Sequence, residues 1–170
     1  MTNEIFTRRS IRRYLDKPVE ADKVDRIIRA GMQAPSALDV QPWEFLVVTD
    51  PQKKEALSQM SPYAKMVKDA PVVLVICADA KRAKDGGEDV WWVQGLSACT
   101  QNVLLQIVKE GLGGVWLGFY PREKRTDQVK EYFHLPETVM PFAVIPFGYS
   151  EDENVFEDRY VPSKVHYEKW

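Results

Sequence analysis

The sequence is poor in the residues that build metal and redox centres. It has two cysteines, Cys77 and Cys99, and two histidines, His134 and His166. Each cysteine lies inside an apolar stretch, which reads as a small buried hydrophobe rather than half of a disulfide or redox pair. The histidines stand far apart, and no zinc-like ligand spacing appears. An excess of one charge is also missing: 23 basic residues face 25 acidic ones, a net charge of −2. No global basic field exists to hold a nucleic acid. Long apolar runs are absent too. The longest, Pro71 to Ala78, is far below the roughly 20 residues that span a bilayer. Arg8 is reached without a secretory apolar segment, so the expected setting is the cytoplasm, with no membrane partner.

What is present is the balance of a globular protein, 45% hydrophobic and 28% charged over 170 residues. That length suits one domain, residues 1–170. No internal repeat, low-complexity segment or Gly/Ser-rich linker divides it.

Hydrophobic spacing predicts a helix over Asp22 to Ala34, with Val24, Ile27, Ile28 and Met32 as its stripe. Pro35 ends it, leaving a loop to Pro42. Trp43 to Thr49 reads as a strand. Asp50 and Pro51 supply an N-cap and first-turn proline for the next helix. Val72 to Cys77 has the near-continuous apolar character of a strand buried on both faces. The longest helix is expected between Asp89 and Glu110. Its main stripe is Val93, Leu96, Thr100, Val103, Leu104 and Ile107, while Trp91, Ala98, Leu105 and Val108 lie off it. A helix apolar on more than one side belongs in the centre or at a subunit interface. A strand over Gly113 to Phe119, a polar helix over Arg122 to Phe133 and a strand over Pro141 to Phe147 follow. Alternating helices and strands indicate an α/β or α+β sandwich. Beyond Gly148 no period is visible. Tyr160, Val161, Val165, Tyr167 and Trp170 are nevertheless unfavourable to leave in water, so this tail is expected to wrap a partner subunit.

Three segments carry candidate chemistry. Arg8-Arg9-Ser10-Ile11-Arg12-Arg13 puts four guanidinium groups in six residues. Guanidinium geometry matches phosphate oxygens, and the serine adds a neutral donor. Without a ligand the same run is a solvated basic turn. Pro35-Ser36-Ala37 with Gln41-Pro42-Trp43 is a proline-bounded loop that a flat ligand can approach closely, or else a plain helix-to-strand connection. In Gly111 to Gly118 the glycine spacing is not that of a dinucleotide fingerprint. Backbone exposed at Gly113, Gly114 and Gly118 can lie against a ring system. The alternative is a helix C-cap at Gly111 or Gly113 followed by a strand.

In this order and at these separations, the three segments resemble the nitroreductase family of flavoproteins. Ala70-Pro71 before the buried strand, Gln101-Asn102-Val103-Leu104-Leu105, and Ile145-Pro146-Phe147-Gly148-Tyr149 with Arg159 extend the likeness over nearly the whole chain. The resemblance implies an α+β fold, a central mixed or antiparallel sheet flanked by helices. It also implies a homodimer with an exchanged C-terminal tail and FMN sites at the interface. By the same resemblance Arg8, Arg9, Ser10 and Arg12 hold the ribityl and phosphate, and Arg159 closes on that phosphate. Pro35, Ser36 and Ala37 come from the other subunit to border the isoalloxazine, with Gln41 in the same block. Trp116, Leu117 and Gly118 run along the flavin edge. The implied activity is hydride transfer from NADH or NADPH through FMN to a nitroaromatic, quinone or similar small acceptor, in a ping-pong cycle with no catalytic side chain named.

Two residues or segments depart from the family pattern. Asp39 stands where the family usually has Asn, and a carboxylate near the ring disfavours a reduced, anionic flavin. The Asn and Lys that longer members place around Tyr63 to Met66 are not matched. Competing readings keep the fold and change the acceptor, or make the chain a flavin-binding protein or sensor without significant turnover. A dimer that has lost its cofactor is a third reading, and the intact arginine cluster argues against it.

Overall fold

In the computed structural model, which describes residues 3–85 and 90–170, the most apolar run of the sequence becomes the axis of the fold. Strand β2 (Val72–Asp79) lies between β1 (Trp43–Val48) and β5 (Val139–Gly148), antiparallel to both. Val73, Leu74, Val75 and Ile76 are fully buried. Each such side chain contributes roughly 1.5–3 kcal/mol of transfer free energy. Alternate β2 residues serve two separate cores. Leu74 and Ile76 face α2 (Ala21–Gly31) and α5 (Trp91–Lys109), through Ile27, Leu96, Val103 and Ile107. Val73, Val75 and Cys77 face α3 (Pro51–Gln59) and α6 (Glu123–Phe133), through Leu57 and Val129. Helices therefore cover both faces of an antiparallel sheet, an α+β architecture.

The helix boundaries follow local chemistry. Asp50 caps α3 by accepting from the Lys53 amide at 2.9 Å, with Pro51 in the first turn. The expected long helix is α5, starting at Trp91; Asp89 lies outside the described residues. α5 is central within one chain, its Gly95–Ile107 stripe buried, while its outward residues Gln94 and Gln101 remain exposed. Two short helices, α1 (Glu4–Thr7) and α4 (Ala80–Asp85), carry too little periodicity to be read from sequence.

The strand expected over Gly113 to Phe119 is broken. β3 (Gly113–Gly114) and β4 (Leu117–Gly118) pair with β5 in one continuous register, but between them only the Val115 amide still bonds across, to the Pro146 carbonyl at 3.3 Å. Val115 and Trp116 lie opposite Pro146 and Ile145, and proline has no N–H to give the ladder. The expectation of a mixed or antiparallel sheet resolves to antiparallel for every named pair, with one parallel bridge, Ser10 to Gly114, at the edge.

Both cysteines are buried and unbridged. Burial pushes each thiol up to about 12, so neither is a thiolate nucleophile at neutral pH. No helix among the described residues is long and apolar enough to cross a membrane.

Candidate functional site

The arginine segment is not a free basic turn. Ile11 donates its amide to the Gly114 carbonyl at 3.1 Å, laying residues 10–11 along β3 at the sheet edge. The Tyr14 hydroxyl lies 2.8 Å from the Ile11 carbonyl and 3.0 Å from that of Pro146. Arg13 pairs with Asp152. Asn154 accepts from the Arg9 amide at 2.9 Å and donates to the Leu112 carbonyl at 3.1 Å. The N-terminal segment, the glycine segment and the start of the tail are thus one assembly.

Glycine is required at 113 for packing. A Cβ there would sit 2.6 Å from Ile11 Cγ2, so the arginine segment can approach only a bare backbone. Gly114 is likewise buried, its missing Cβ facing Phe147 at 3.2 Å. This corrects the expectation that Gly113 and Gly114 present backbone to a ring. Of these three only Gly118 is exposed, with nothing closer than 4.0 Å to its absent Cβ. Of the two C-cap candidates Gly111 takes the role, at φ +75° just beyond α5.

Arg8, Arg9 and Arg159 converge on one cavity of about 260 Å³, together with Glu157. Arg8 is half-buried and has no ion-pair or side-chain hydrogen-bond partner among the described residues. Its pKa is lowered by burial first, then by the charges of Arg159 and Arg9. An anion there would relieve all three effects. Arg9 donates through Nη1 to the Phe6 and Arg8 carbonyls, while Nη2 is buried without a hydrogen bond. Glu157 Oε2 is within ion-pair distance of that nitrogen, at 3.3 Å, but not aligned to accept from it. The same oxygen accepts from Arg159 Nε and Nη2 at 2.9 and 2.6 Å, which holds the Glu157 carboxyl below its ordinary range. An unpaired Arg8, the orphaned Nη2 of Arg9 and an Arg159 guanidinium that a carboxylate now occupies are the donor set a phosphate dianion uses, so these three arginines fit the phosphate of FMN.

A second cavity, of about 510 Å³, is lined by Arg12, Tyr63, Lys65, Trp116, Leu117 and Gly118 among others. Arg12 reaches only the Ser10 carbonyl, at 3.2 Å. Trp116 packs its ring on Phe142, 5.7 Å between centroids, leaving the strip to Gly118 as a wall. Lys54, on the buried side of α3, donates to the Ala70 carbonyl at 2.7 Å and so ties α3 to the residue that follows the turn Lys65–Asp69. Ser10 itself is exposed.

Pro35, Ser36 and Ala37 line a different cavity, of about 390 Å³, against Gly95 and Ala98 of α5. One chain does not bring them to the arginines. Three non-glycine residues of this loop, Leu38, Asp39 and Gln41, have φ near +50°, a conformation held only where the surroundings enforce it. The Ser36 hydroxyl accepts from the Gln41 amide at 2.9 Å, and the Gln41 side-chain amide donates to Asp39 at 3.0 Å. Gln41 therefore spends its donor on the carboxylate that departs from the family pattern. Another cavity, of about 470 Å³, is lined by Glu4, Asp152 and Glu153 beside Lys109, and its acidic rim is unsuited to a phosphate.

Sequence reasoning missed Glu157, Asn154 and Arg125, and it passed over Lys65, which stands inside the Tyr63 to Met66 segment where longer members have a lysine and which lines the second cavity. Glu157 was discoverable, two residues before Arg159 in an aperiodic segment. Arg125 was not: it lies on a polar helix, and only the fold carries its Nη1 to the Gly118 carbonyl, at 3.0 Å.

The nitroreductase family model matches residues 5–64 and 58–149. The chain belongs to the nitroreductase family. A Methanothermobacter thermautotrophicus protein named "Putative NADH dehydrogenase/NAD(P)H nitroreductase" is 43% identical over 98% of this chain and 85% of its own length. The FMN reductase [NAD(P)H] of Bacillus subtilis is 28% identical over 95% of this chain and 70% of its own. Among solved structures, an FMN-dependent nitroreductase from Clostridium difficile is 31% identical, covers each chain completely and superposes with a TM-score of 0.90.

Proposed function

We propose that this nitroreductase-family chain is an FMN-dependent oxidoreductase. It takes hydride from NADH or NADPH and delivers it to a nitroaromatic, quinone or similar small acceptor in a ping-pong cycle. The observation that carries this reading is the convergence of Arg8, Arg9 and Arg159 on one cavity, from opposite ends of the chain. Bound FMN supplies the hydride chemistry, and the protein supplies position and field.

In this reading Arg8, Arg9 and Ser10 hold the phosphate and adjoining ribityl, Arg12 reaches the ribityl from the second cavity, and Arg159 closes on the phosphate. Trp116, Leu117 and Gly118 flank the ring, with the open Gly118 backbone nearest the atoms that gain charge. The functional unit is a homodimer in which a second copy contributes Pro35, Ser36 and Ala37, with Gln41 behind them. The tail supports that assembly: Tyr160, Tyr167 and Trp170 are 64%, 79% and 99% exposed on the single chain. Phe156 stacks on Phe6 at 5.7 Å and Glu157 still reaches Phe6 and Arg9, whereas every residue from Val161 to Trp170 is exposed. Burying that apolar surface requires a partner.

The test compares FMN with riboflavin. A charge-assisted contact is worth about 1.5–3 kcal/mol, so Arg8→Ala and Arg159→Ala should each weaken FMN affinity by roughly 10- to 150-fold. Riboflavin affinity should hardly change. Equal losses for both ligands, or no loss for either, would overturn the phosphate assignment.

A further inference from the structure

We infer that Trp91 and Gln94, on the first turn of α5, border the isoalloxazine of the second copy's FMN. This rests on the functional reading above and adds two side chains to the wall that the second copy contributes there. On the single chain the Pro35–Ala37 loop forms only one side of its cavity of about 390 Å³, and Trp91, Gln94, Gly95 and Ala98 form the other. The two sides belong to one packed body. A Cβ on Gly95 would lie 3.5 Å from Ser36 Cβ and 3.7 Å from the Pro35 carbonyl oxygen, so helix and loop are already in contact. Just before the loop, Ala34 is buried in the same core as Leu96 and Cys99 of α5. Whatever brings Pro35 to Ala37 against a flavin therefore brings the start of α5 with them.

The chemistry of this side suits a flat, uncharged ring. Trp91, Gln94 and Ala98 follow one another at helical spacing, which puts them on one face of α5. Trp92 turns inward instead, its ring 4.7 Å from Tyr120 and 6.0 Å from Phe142. Trp91 is 39% exposed and pairs with no aromatic ring among the described residues. An indole held at the edge of a cavity offers its face for stacking. Gln94 is exposed in the same lining, and its amide can donate to or accept from the polar edge of a ring. No charged residue lines this cavity among the described residues. The wall thus matches a neutral ring system, as the arginines match a phosphate.

The experiment measures FMN and riboflavin affinity by fluorescence titration, with sedimentation and Tm on each variant. Loss of one aromatic stack corresponds to about 2- to 12-fold in affinity. Trp91→Leu should weaken both ligands by that same factor, because they share the ring, and Trp91→Phe should restore most of the loss. Gln94→Leu should likewise weaken both, by about 2- to 12-fold for one hydrogen bond. Mixed dimers purified through two different tags decide which copy supplies Trp91. In a dimer of one Trp91→Leu chain and one Arg8→Ala chain, the site with intact arginines receives Trp91 from the other chain. That site should hold FMN as tightly as the wild type. If it instead shows the affinity of the Trp91→Leu homodimer, Trp91 serves its own chain's flavin and the inference is overturned. A Trp91→Leu homodimer that binds both ligands like the wild type, or a Trp91→Leu chain that no longer dimerises, would overturn it too, while FMN binding by the wild-type dimer stands. A wild-type protein that takes up no FMN, or holds it as a monomer, would overturn the functional reading and this inference together.

Discussion

Replacing Gly113 with alanine places a methyl group where the structure has no room. Its carbon would lie 2.6, 2.7 and 2.8 Å from Cγ2, Cβ and Cγ1 of Ile11, about 1 Å inside ordinary carbon–carbon contact. Rotating the Ile11 side chain cannot relieve this, because its own Cβ is among the clashing atoms. The backbone of residues 10–11 must move away from β3 and stretch the Ile11 amide bond to Gly114. Overpacking costs about 1–3 kcal/mol, and the weakened hydrogen bond adds about 0.5–1.5. For a chain of this length each kcal/mol is about 2–4 °C, so calorimetry should show Tm lowered by roughly 5–15 °C. The same displacement carries Arg8 and Arg12 with it, so FMN affinity should fall as well. Gly118→Ala is the internal comparison: its added carbon meets only the Tyr120 carbonyl, at 4.0 Å, and stability should change by no more than about 0.5 kcal/mol. A Gly113→Ala protein with unchanged Tm and unchanged FMN affinity would refute the claim that bare backbone at 113 seats the arginine segment.

Glu157→Gln removes a carboxylate that shares Arg9 and Arg159 with the proposed phosphate, and should tighten FMN but not riboflavin in fluorescence titrations. Truncation after Ser150 should weaken both dimerisation and FMN binding in sedimentation and flavin-content assays, whereas Arg159→Ala should weaken FMN binding alone; a truncated chain that stays dimeric and fully loaded would contradict the exchanged tail. Hydrogen bonds from Arg26 hold the Glu110 carboxyl below its ordinary range. A depressed folded pKa contributes stability above the unfolded value, about 4.3, that is lost as pH falls through the folded one. Glu110→Gln should therefore flatten the acid side of the stability profile, measured by denaturant midpoints.

The legible parts of the fold were those written locally. Asp50-Pro51 starts α3 where capping chemistry places it, Pro35 lies four residues past the end of α2, and the Val72 run is the strand buried on both faces. The illegible parts depend on distant partners. Pro146 interrupts the β3–β4 ladder from across the sheet, and nothing in Gly113 to Phe119 announces it. Gly113 reads as open backbone until Ile11, a hundred residues earlier, is found against it. At the site, the arginine run was legible by its chemistry and Arg159 by the family resemblance; Arg8, Arg9 and Arg159 line one cavity, while Arg12 lines another. Pro35 to Ala37 form a pocket apart from them on the single chain, so their role depends on a second copy. Arg125 carried no signal, being an ordinary cation on a polar helix until the fold brings it to the cavity that Lys65 also lines, whereas Lys65 lay in a segment the family resemblance had already marked.

The central claim is tested most directly by an anaerobic titration of the purified protein with NADH and, separately, NADPH, following the visible absorption of bound flavin. The account predicts a yellow protein holding FMN that is bleached by at least one nicotinamide and regains its colour when a nitroaromatic or quinone is added. A protein that binds FMN yet keeps its colour with both nicotinamides would contradict it and leave a flavin-binding protein without turnover.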